Sequence, residues 1–368
     1  MLLEELQTPC LVLDRVILER NLEMMRSIAQ RHRVSLRPHL KTAKSADIAR
    51  MAIGGTAGGV TVSTLAEAEY FASHGFSDIT LAAGITPQKL GRVAALMSRG
   101  ATIQVITDDL TTATAIASHP SPIRALVEID CGDGRGGVDP AGDLFVEIGT
   151  ALGDRLEGVL THAGHSYACR DLECIRRVAE QERATAVSAA ERLRSAGLSC
   201  ETVSVGSTPT MRHAESLVGV TEMRPGVYMF GDLFQAEIQS CTREDIAVTV
   251  LASVIGRRID ENRILLDSGA LALSKDRSTA VTSRDAGYGL VLDIDGRPSF
   301  GECVIDRVSQ EHGIAISDVS LPFDELGVGV KVRVAPNHSC LTAAAYDRYY
   351  VVDGGREVVD IFDRVNGW

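Results

Sequence analysis

Through the first two thirds of the chain, short apolar runs rich in β-branched residues alternate with longer stretches whose apolar positions recur at helical spacing. Eight runs read as strands, over residues 34–39, 59–63, 79–83, 102–107, 124–129, 158–162, 202–206 and 222–228. Helical patterns lie between them, among them 64–74 (TLAEAEYFASH) and 171–196. Strand–helix alternation of this kind makes parallel βαβ units, because a parallel strand needs a crossover to return the chain. Eight units within residues 15–240 predict an α/β fold, a (β/α)8 TIM-type barrel. The competing arrangement is an open doubly wound sheet with a glycine-rich nucleotide loop after its first strand. The nearest match to that loop, GDGRGG at 132–137, follows a middle strand instead.

After about residue 240 the long helical periodicity stops. Runs at 245–255, 263–267, 330–334 and 349–352 are alternating or β-branched and are separated by Gly, Asp, Asn and Pro. They predict a C-terminal, mainly β domain. The opening TPCLVLD, residues 8–14, also reads as a strand, and a strand there has the β domain to pair with. The division expected is therefore 1–14 as an N-terminal strand packing on the β domain, 15–240 as the barrel, and 241–368 as the β domain.

Composition narrows the function classes. A net charge of −12, with no Lys/Arg run, excludes an ordinary nucleic-acid binder. No apolar stretch reaches the roughly 18–20 residues of a membrane span. The first ten residues, MLLEELQTPC, carry acids where a signal peptide would carry bases, so the expected location is cytoplasmic. The eight cysteines follow no framework spacing and are expected to be mostly thiols.

The chemistry begins at SLRPHLK, residues 35–41. On a strand, Ser35, Arg37, His39 and Lys41 would share one face. Lys41 would then stand at the C-terminal end of an early barrel strand, where barrel active sites lie. A partly desolvated lysine among cations loses basicity, as Schiff-base chemistry requires. A surface lysine at a strand end fits the same pattern. GST, Gly206–Ser207–Thr208, and RPGV, Arg224 to Val227, follow the seventh and eighth strands, the usual phosphate position in such barrels. His162, Tyr167 and Arg135 fall at or just after other strand ends and can reach the same cavity, while His165 reads as a solvated side chain. Finally, His338-Ser339-Cys340 would place an imidazole and a thiol on one face of an extended segment, a spacing that lets both reach one metal ion.

RPHLKTAKS, beginning at Arg37, resembles the lysine motif of the D-threonine aldolase and D-serine dehydratase family of fold-type III, pyridoxal-5′-phosphate (PLP) enzymes. TVSTLAEAEYF (61–71), THAGHSY (161–167), VSVGSTPT (203–210), EMRPGVY (222–228), QEHG (310–313) and PNHSCLT (336–342) continue the resemblance nearly end to end. It implies an alanine-racemase-like barrel with a C-terminal β domain, a homodimer, and Lys41 as the cofactor's lysine. It further implies phosphate contacts from the backbone of Gly226 and Val227. Arg224 would face the pyridine nitrogen, and Tyr167 the cofactor or substrate. His338 and Cys340 stand at the family's metal position. The aldolase branch resembles His-Cys-Asp there, which suits Mn²⁺; Cys340 in third place resembles the zinc-dependent dehydratases, and thiolate with imidazole favours Zn²⁺. The implied reaction is loss of water from a 3-hydroxy D-amino acid, D-serine or D-threo-3-hydroxyaspartate, with Lys41, His162, Tyr167 and Arg135 as the reacting groups. The rival is retro-aldol cleavage of D-threonine to glycine and an aldehyde. A racemase is disfavoured by the metal motif, and a non-catalytic PLP-binding barrel by the second domain.

Overall fold

The computed structural model describes residues 1–54 and 58–368. The chain forms two compact units, one of Met1–Glu23 with Val227–Arg364, the other of Met24–Gly226 with Val365–Trp368. The strands, in chain order, are β1 (Cys10–Asp14), β2 (Ser35–Leu36), β3 (Val60–Val62), β4 (Asp78–Gly84), β5 (Thr102–Thr107), β6 (Arg124–Glu128), β7 (Leu156–Leu160), β8 (Thr202–Val205), β9 (Glu222–Met223), β10 (Val248–Arg258), β11 (Arg263–Leu266), β12 (Gly289–Leu292), β13 (Val304–Val308), β14 (Gly313–Ile316), β15 (Lys331–Pro336), β16 (Arg348–Val352) and β17 (Val358–Asp363).

The second unit holds an eight-stranded parallel sheet in the order β2-β9-β8-β7-β6-β5-β4-β3. A parallel bridge from His39 to Thr61, with Leu40 N donating to Thr61 O at 2.8 Å, joins its two ends. Side chains on both faces of the sheet are buried, Val60, Ile79, Ile103 and Val159 on one and Ile106, Leu126 and Leu160 on the other, as expected of parallel strands covered on both faces. Helices follow the strands: α1 (Arg15–His32), α2 (Ala46–Ile53), α3 (Leu65–Ser73), α4 (Leu90–Met97), α5 (Leu110–Ser118), α6 (Asp143–Leu152), α7 (Leu172–Ser195) and α8 (Thr208–His213). Side-chain caps start several of them. Thr64 accepts from Glu67 N, Asp109 from Thr112 N, and Asp171 from Cys174 N.

Two strands are shorter than the apolar pattern predicts. β2 stops at Leu36 and β9 at Met223 because Pro38 and Pro225 have no N–H to give to a ladder. Regular pairing is interrupted at Pro38 and resumes at the His39–Thr61 bridge, and the registers of Ser35 with Glu222 and of His39 with Thr61 keep these two residues on one face of the sheet, with Lys41 in the turn beyond. Arg37 meets that face too, with Nε 2.7 Å from Glu222 and its terminal nitrogens 2.8 and 3.0 Å from Asp78.

The first unit is built on a nine-stranded sheet, β11-β14-β13-β12-β15-β10-β1-β16-β17, in which β10 also pairs β11. Six strands, from β10 through β15 and round to β11, thereby close into a small antiparallel barrel. β1 extends it, antiparallel to β10 and parallel to β16. Closure removes sheet edges that would otherwise be exposed. The cysteines are mostly thiols, as expected, six of the eight, and Cys169 and Cys174 form a disulfide. The Asp171 cap begins α7 just before Cys174 and leaves the two Cα atoms 5.5 Å apart, within disulfide reach. Among the described residues, no helix is long and apolar enough to cross a membrane.

Candidate active site

Lys41 lies in the turn that follows β2, and its N–H stands 3.5 Å from Nδ1 of His39. His39 is buried, and burial drives its pKa well below the ordinary imidazole range, assisted by the positive charges of Lys41, Arg224 and Arg135. His162, just past β7, is lowered to about 3, first by burial, then by Lys41, with Arg135 and Arg224 adding to it. Both rings are therefore neutral at physiological pH. Two neutral imidazoles beside a lysine and two guanidiniums form a cluster whose charge favours an anion.

The end of β8 supplies a second wall. Gly206 has φ +129°, a left-handed conformation that favours glycine, and a Cβ there would sit 2.9 Å from Arg224 N. Its carbonyl meets His162 Nδ1 at 3.1 Å. Ser207 caps α8, with its hydroxyl 3.0 Å from that of Ser166. Thr208 is buried beside it. Arg224 is buried too. Its guanidinium donates to the Ser204 hydroxyl and, at 2.5 Å, to Thr161 O. Gly226 is required for a close approach, since a Cβ would come within 2.7 Å of His39 O. Val227 begins the other unit, where its carbonyl accepts from Phe230 N and Gly231 N at 3.1 and 2.8 Å.

Tyr167 sits on the short turn after β7, its ring centroid 6.4 Å from that of His162. Arg135 is mostly exposed, 3.9 Å from Glu128, whose carboxyl is pushed up by burial. His165 differs from the solvated side chain expected: both ring nitrogens are buried without a hydrogen-bond partner among the described residues.

Sequence reasoning gave no role to Glu182. This buried carboxylate on α7 accepts from Ala163 N at 3.0 Å and from Gly206 N at 2.9 Å through one oxygen. It thus ties the His162 turn to the Gly206 turn. Nothing in the charged helical stretch around it distinguishes it from a solvated glutamate.

The metal candidates lie in the other unit. His338 and Cys340 are not on an extended segment. His338 precedes a short helix, Ser339–Ala343, which turns the Cys340 side chain back towards the imidazole, within hydrogen-bonding reach. The helix starts there because Asp232 accepts from Ser339 N at 3.1 Å. Asp276, which the sequence did not single out, accepts His338 Nδ1–H at 2.9 Å. Burial opposes charge on His338, yet Asp276, Cys340 and Asp232 outweigh it and raise its pKa to about 11. Asp276 is lowered correspondingly, to about 2, chiefly by that hydrogen bond. The orienting carboxylate fixes the ring and leaves Nε2 for a metal, the arrangement common behind metal-bound histidines. Among the described residues no three His, Cys, Asp or Glu side chains converge as a ligand set, so the protein offers two donors.

Known proteins match this arrangement throughout. Residues 13–233 match the family model of the alanine racemase N-terminal domain, and residues 247–352 that of a putative serine dehydratase domain. D-threo-3-hydroxyaspartate dehydratase of Delftia sp. is 42% identical, over 99% of this chain and 98% of that protein. D-serine dehydratase of Dictyostelium discoideum is 31% identical, over 100% and 98%. The solved structure of a cysteine-to-alanine variant of D-threo-3-hydroxyaspartate dehydratase, in the metal-free form, superposes with a TM-score of 0.96 at 40% identity, each chain fully covered. The barrel, the antiparallel unit and the end-to-end match together make this chain a member of the alanine-racemase-like family of D-hydroxyamino acid dehydratases and aldolases.

Proposed function

We propose that this protein is a PLP- and zinc-dependent dehydratase that removes water from D-serine or D-threo-3-hydroxyaspartate, giving a 2-oxo acid and ammonia. The observation that carries it is the His338–Cys340 pair, its imidazole held by Asp276, in a chain whose other unit gathers Lys41, His39, His162, Arg135 and Arg224 in one electrostatic cluster. That cluster fits PLP: one lysine for its aldehyde, neutral imidazoles, and glycine turns for its phosphate. When bound, PLP supplies an electron sink for the α-carbon, and a Lewis-acidic ion assists departure of hydroxide.

Lys41 Nζ would hold the cofactor's aldehyde and, once displaced by the substrate's amine, would take the α-proton. Gly206, Ser207, Thr208, Gly226 and Val227 receive the phosphate. Arg224, anchored by Ser204 and Thr161, keeps its positive charge and withholds a proton from the pyridine nitrogen. Tyr167 and His162 flank the reacting face, and Arg135 draws an anionic substrate. His162, neutral down to about pH 3, serves as a neutral hydrogen-bonding group rather than as a carrier of charge. His338 and Cys340 hold the ion, and imidazole with thiolate favours Zn²⁺ over harder metals. The protein acts in the cytoplasm as a homodimer.

Product analysis tests the reaction. With D-threonine, dehydration yields 2-oxobutanoate and ammonia, and retro-aldol cleavage yields glycine and acetaldehyde. The expected result is 2-oxo acid from D-serine or D-3-hydroxyaspartate. Glycine and aldehyde from D-threonine, with no 2-oxo acid from any of the three, would replace the dehydratase by an aldolase.

A further inference from the structure

The unit that carries His338 contains a cavity of about 300 Å³ whose walls include Asp14, Ile17, Thr249, Leu290, Leu292 and Arg333. Arg333, on β15, is only 4% exposed. Its Nε donates to the Thr249 hydroxyl at 2.8 Å, and no ion-pair partner is found for it among the described residues. Burial lowers its pKa, and Asp14, Asp293 and Asp295 oppose this at longer range. Gly296, with φ +80°, stands against its terminal nitrogen: a Cβ there would come within 3.0 Å.

Asp14 is 6% exposed, at the start of α1. One carboxylate oxygen accepts from Val16 N and Ile17 N at 3.0 and 3.3 Å, and the other has no partner among the described residues. Of the remaining acids at the cavity, Glu244 is exposed and the other two are engaged elsewhere. Asp295 is clamped by Arg356 at 2.5 and 2.8 Å, and Glu302 by Arg243 at 2.9 and 3.1 Å. One cation and one anion are therefore buried in the walls of a single cavity without meeting each other. Buried charges are costly unless fully hydrogen-bonded or paired, and each of these is bonded only in part, which leaves donors and an acceptor for a ligand. The same cavity also carries an aliphatic wall that includes Ile17, Leu290 and Leu292.

We propose that this cavity binds a free aliphatic amino acid, its α-carboxylate on the Arg333 guanidinium, its α-ammonium on Asp14, and its side chain against Leu290 and Leu292. A guanidinium offers a carboxylate two parallel donors, which fixes orientation as well as charge. The volume lies at the lower end for ligand pockets and suits one small molecule. No lone anion or amine satisfies both walls.

The test uses the holoenzyme after borohydride reduction, so that the Lys41 centre cannot take up an amine, and L-leucine as the probe in calorimetric titration. One saturable site per chain is expected. 4-Methylpentanoate and isoamylamine, each carrying one of the two charges, should bind at least about tenfold more weakly, a loss of roughly 1.4 kcal/mol. Asp14→Asn keeps the cap on α1 and should weaken L-leucine by a similar factor. Arg333→Met should abolish binding; if that variant does not fold, Leu292→Phe, which fills the cavity, serves in its place. Absence of saturation up to about 10 mM, or binding indifferent to Asp14→Asn and Leu292→Phe, overturns the proposal. So does a crystal structure grown with L-leucine in which water or a side chain of a second subunit joins Asp14 to Arg333.

Discussion

His162 and His338 are the same side chain in opposite surroundings. His162 stands in the parallel-barrel unit among Lys41, Arg135 and Arg224, and burial with these cations takes it to about 3. His338 stands in the antiparallel unit among Asp276, Cys340 and Asp232, which hold it up at about 11. Burial opposes the charged form in both places, so the difference comes from the neighbours. The contrast teaches what each cluster is for. A cavity that keeps its imidazoles neutral while retaining a lysine and guanidiniums receives an anion. A histidine hemmed in by carboxylates and a thiol marks a place for a cation, and a bound metal takes over the charge that the proton carries.

The sharpest way to break this comparison is to remove the lysine. Lys41→Ala should lower elimination by at least about a thousandfold, and the borohydride-trapped cofactor should disappear from the protein. A variant that still yields a reducible lysine adduct at equal occupancy would assign the cofactor to another lysine. The second test removes the cation. Chelation should abolish elimination and leave the cofactor's absorbance in place, with Zn²⁺ restoring activity. His338→Ala and Cys340→Ala should each bind less than one zinc per chain by elemental analysis. Full activity after complete metal loss would end the reading of this cluster as a metal centre.

A finer test separates ligand from orienting group. Asp276 Oδ2 accepts from Nδ1 of His338, the nitrogen turned away from the proposed ion, while its Oδ1 accepts from Ser278. Asp276→Asn should weaken zinc about 10–100-fold while leaving the fold and the cofactor site intact, because orienting partners typically contribute that much. Zinc affinity by competition with a chromophoric chelator gives the number. An unchanged affinity would reduce the Asp276 contact to local packing.

The two units also differed in how far their sequences could be read. The barrel was legible because each strand is a short apolar run and each helix an amphipathic one. β5 falls on the expected 102–107, and α7 lies within the expected 171–196. Misreadings cluster at prolines: a run read as one strand through Pro38 or Pro225 loses its regular ladder there, because proline has no N–H to give. The antiparallel unit was less legible. VIDRV in β13 and VVDIFD in β17 carry charges on the solvent side of short strands and offer too little contrast with loops. In the sites, Lys41, His338 and Cys340 stand inside distinctive motifs. Glu182 and Asp276 do not, because a residue that acts by holding another is defined by a contact formed only when distant segments fold together.

Glu182 offers the smallest and most discriminating test, since it is fully buried and ties together the two turns beside the cationic cluster. Burial raises its pKa, while hydrogen bonds from Thr210, Gly206 and Ala163 and the charge of Arg224 moderate the shift. In the unfolded chain it titrates near its ordinary 4.5. Its folded-state pKa is higher, so its stabilising contribution is complete below 4.5 and is lost as pH rises through the folded value. One such group contributes a downward slope of at most about 1.4 kcal/mol per pH unit in that window. Glu182→Gln keeps an oxygen that can accept from Ala163 N and Gly206 N but has no proton to lose. Urea unfolding at a series of pH values from about 4 upward should therefore show a flatter profile for the variant, with stability near that of the parent at the acid end. Cofactor affinity should change less than threefold, because both turns remain tied. If the profiles are parallel, the carboxyl does not titrate within this window. If the variant binds cofactor much more weakly at equal stability, the charge of Glu182, and not only its acceptor oxygen, shapes the anion site.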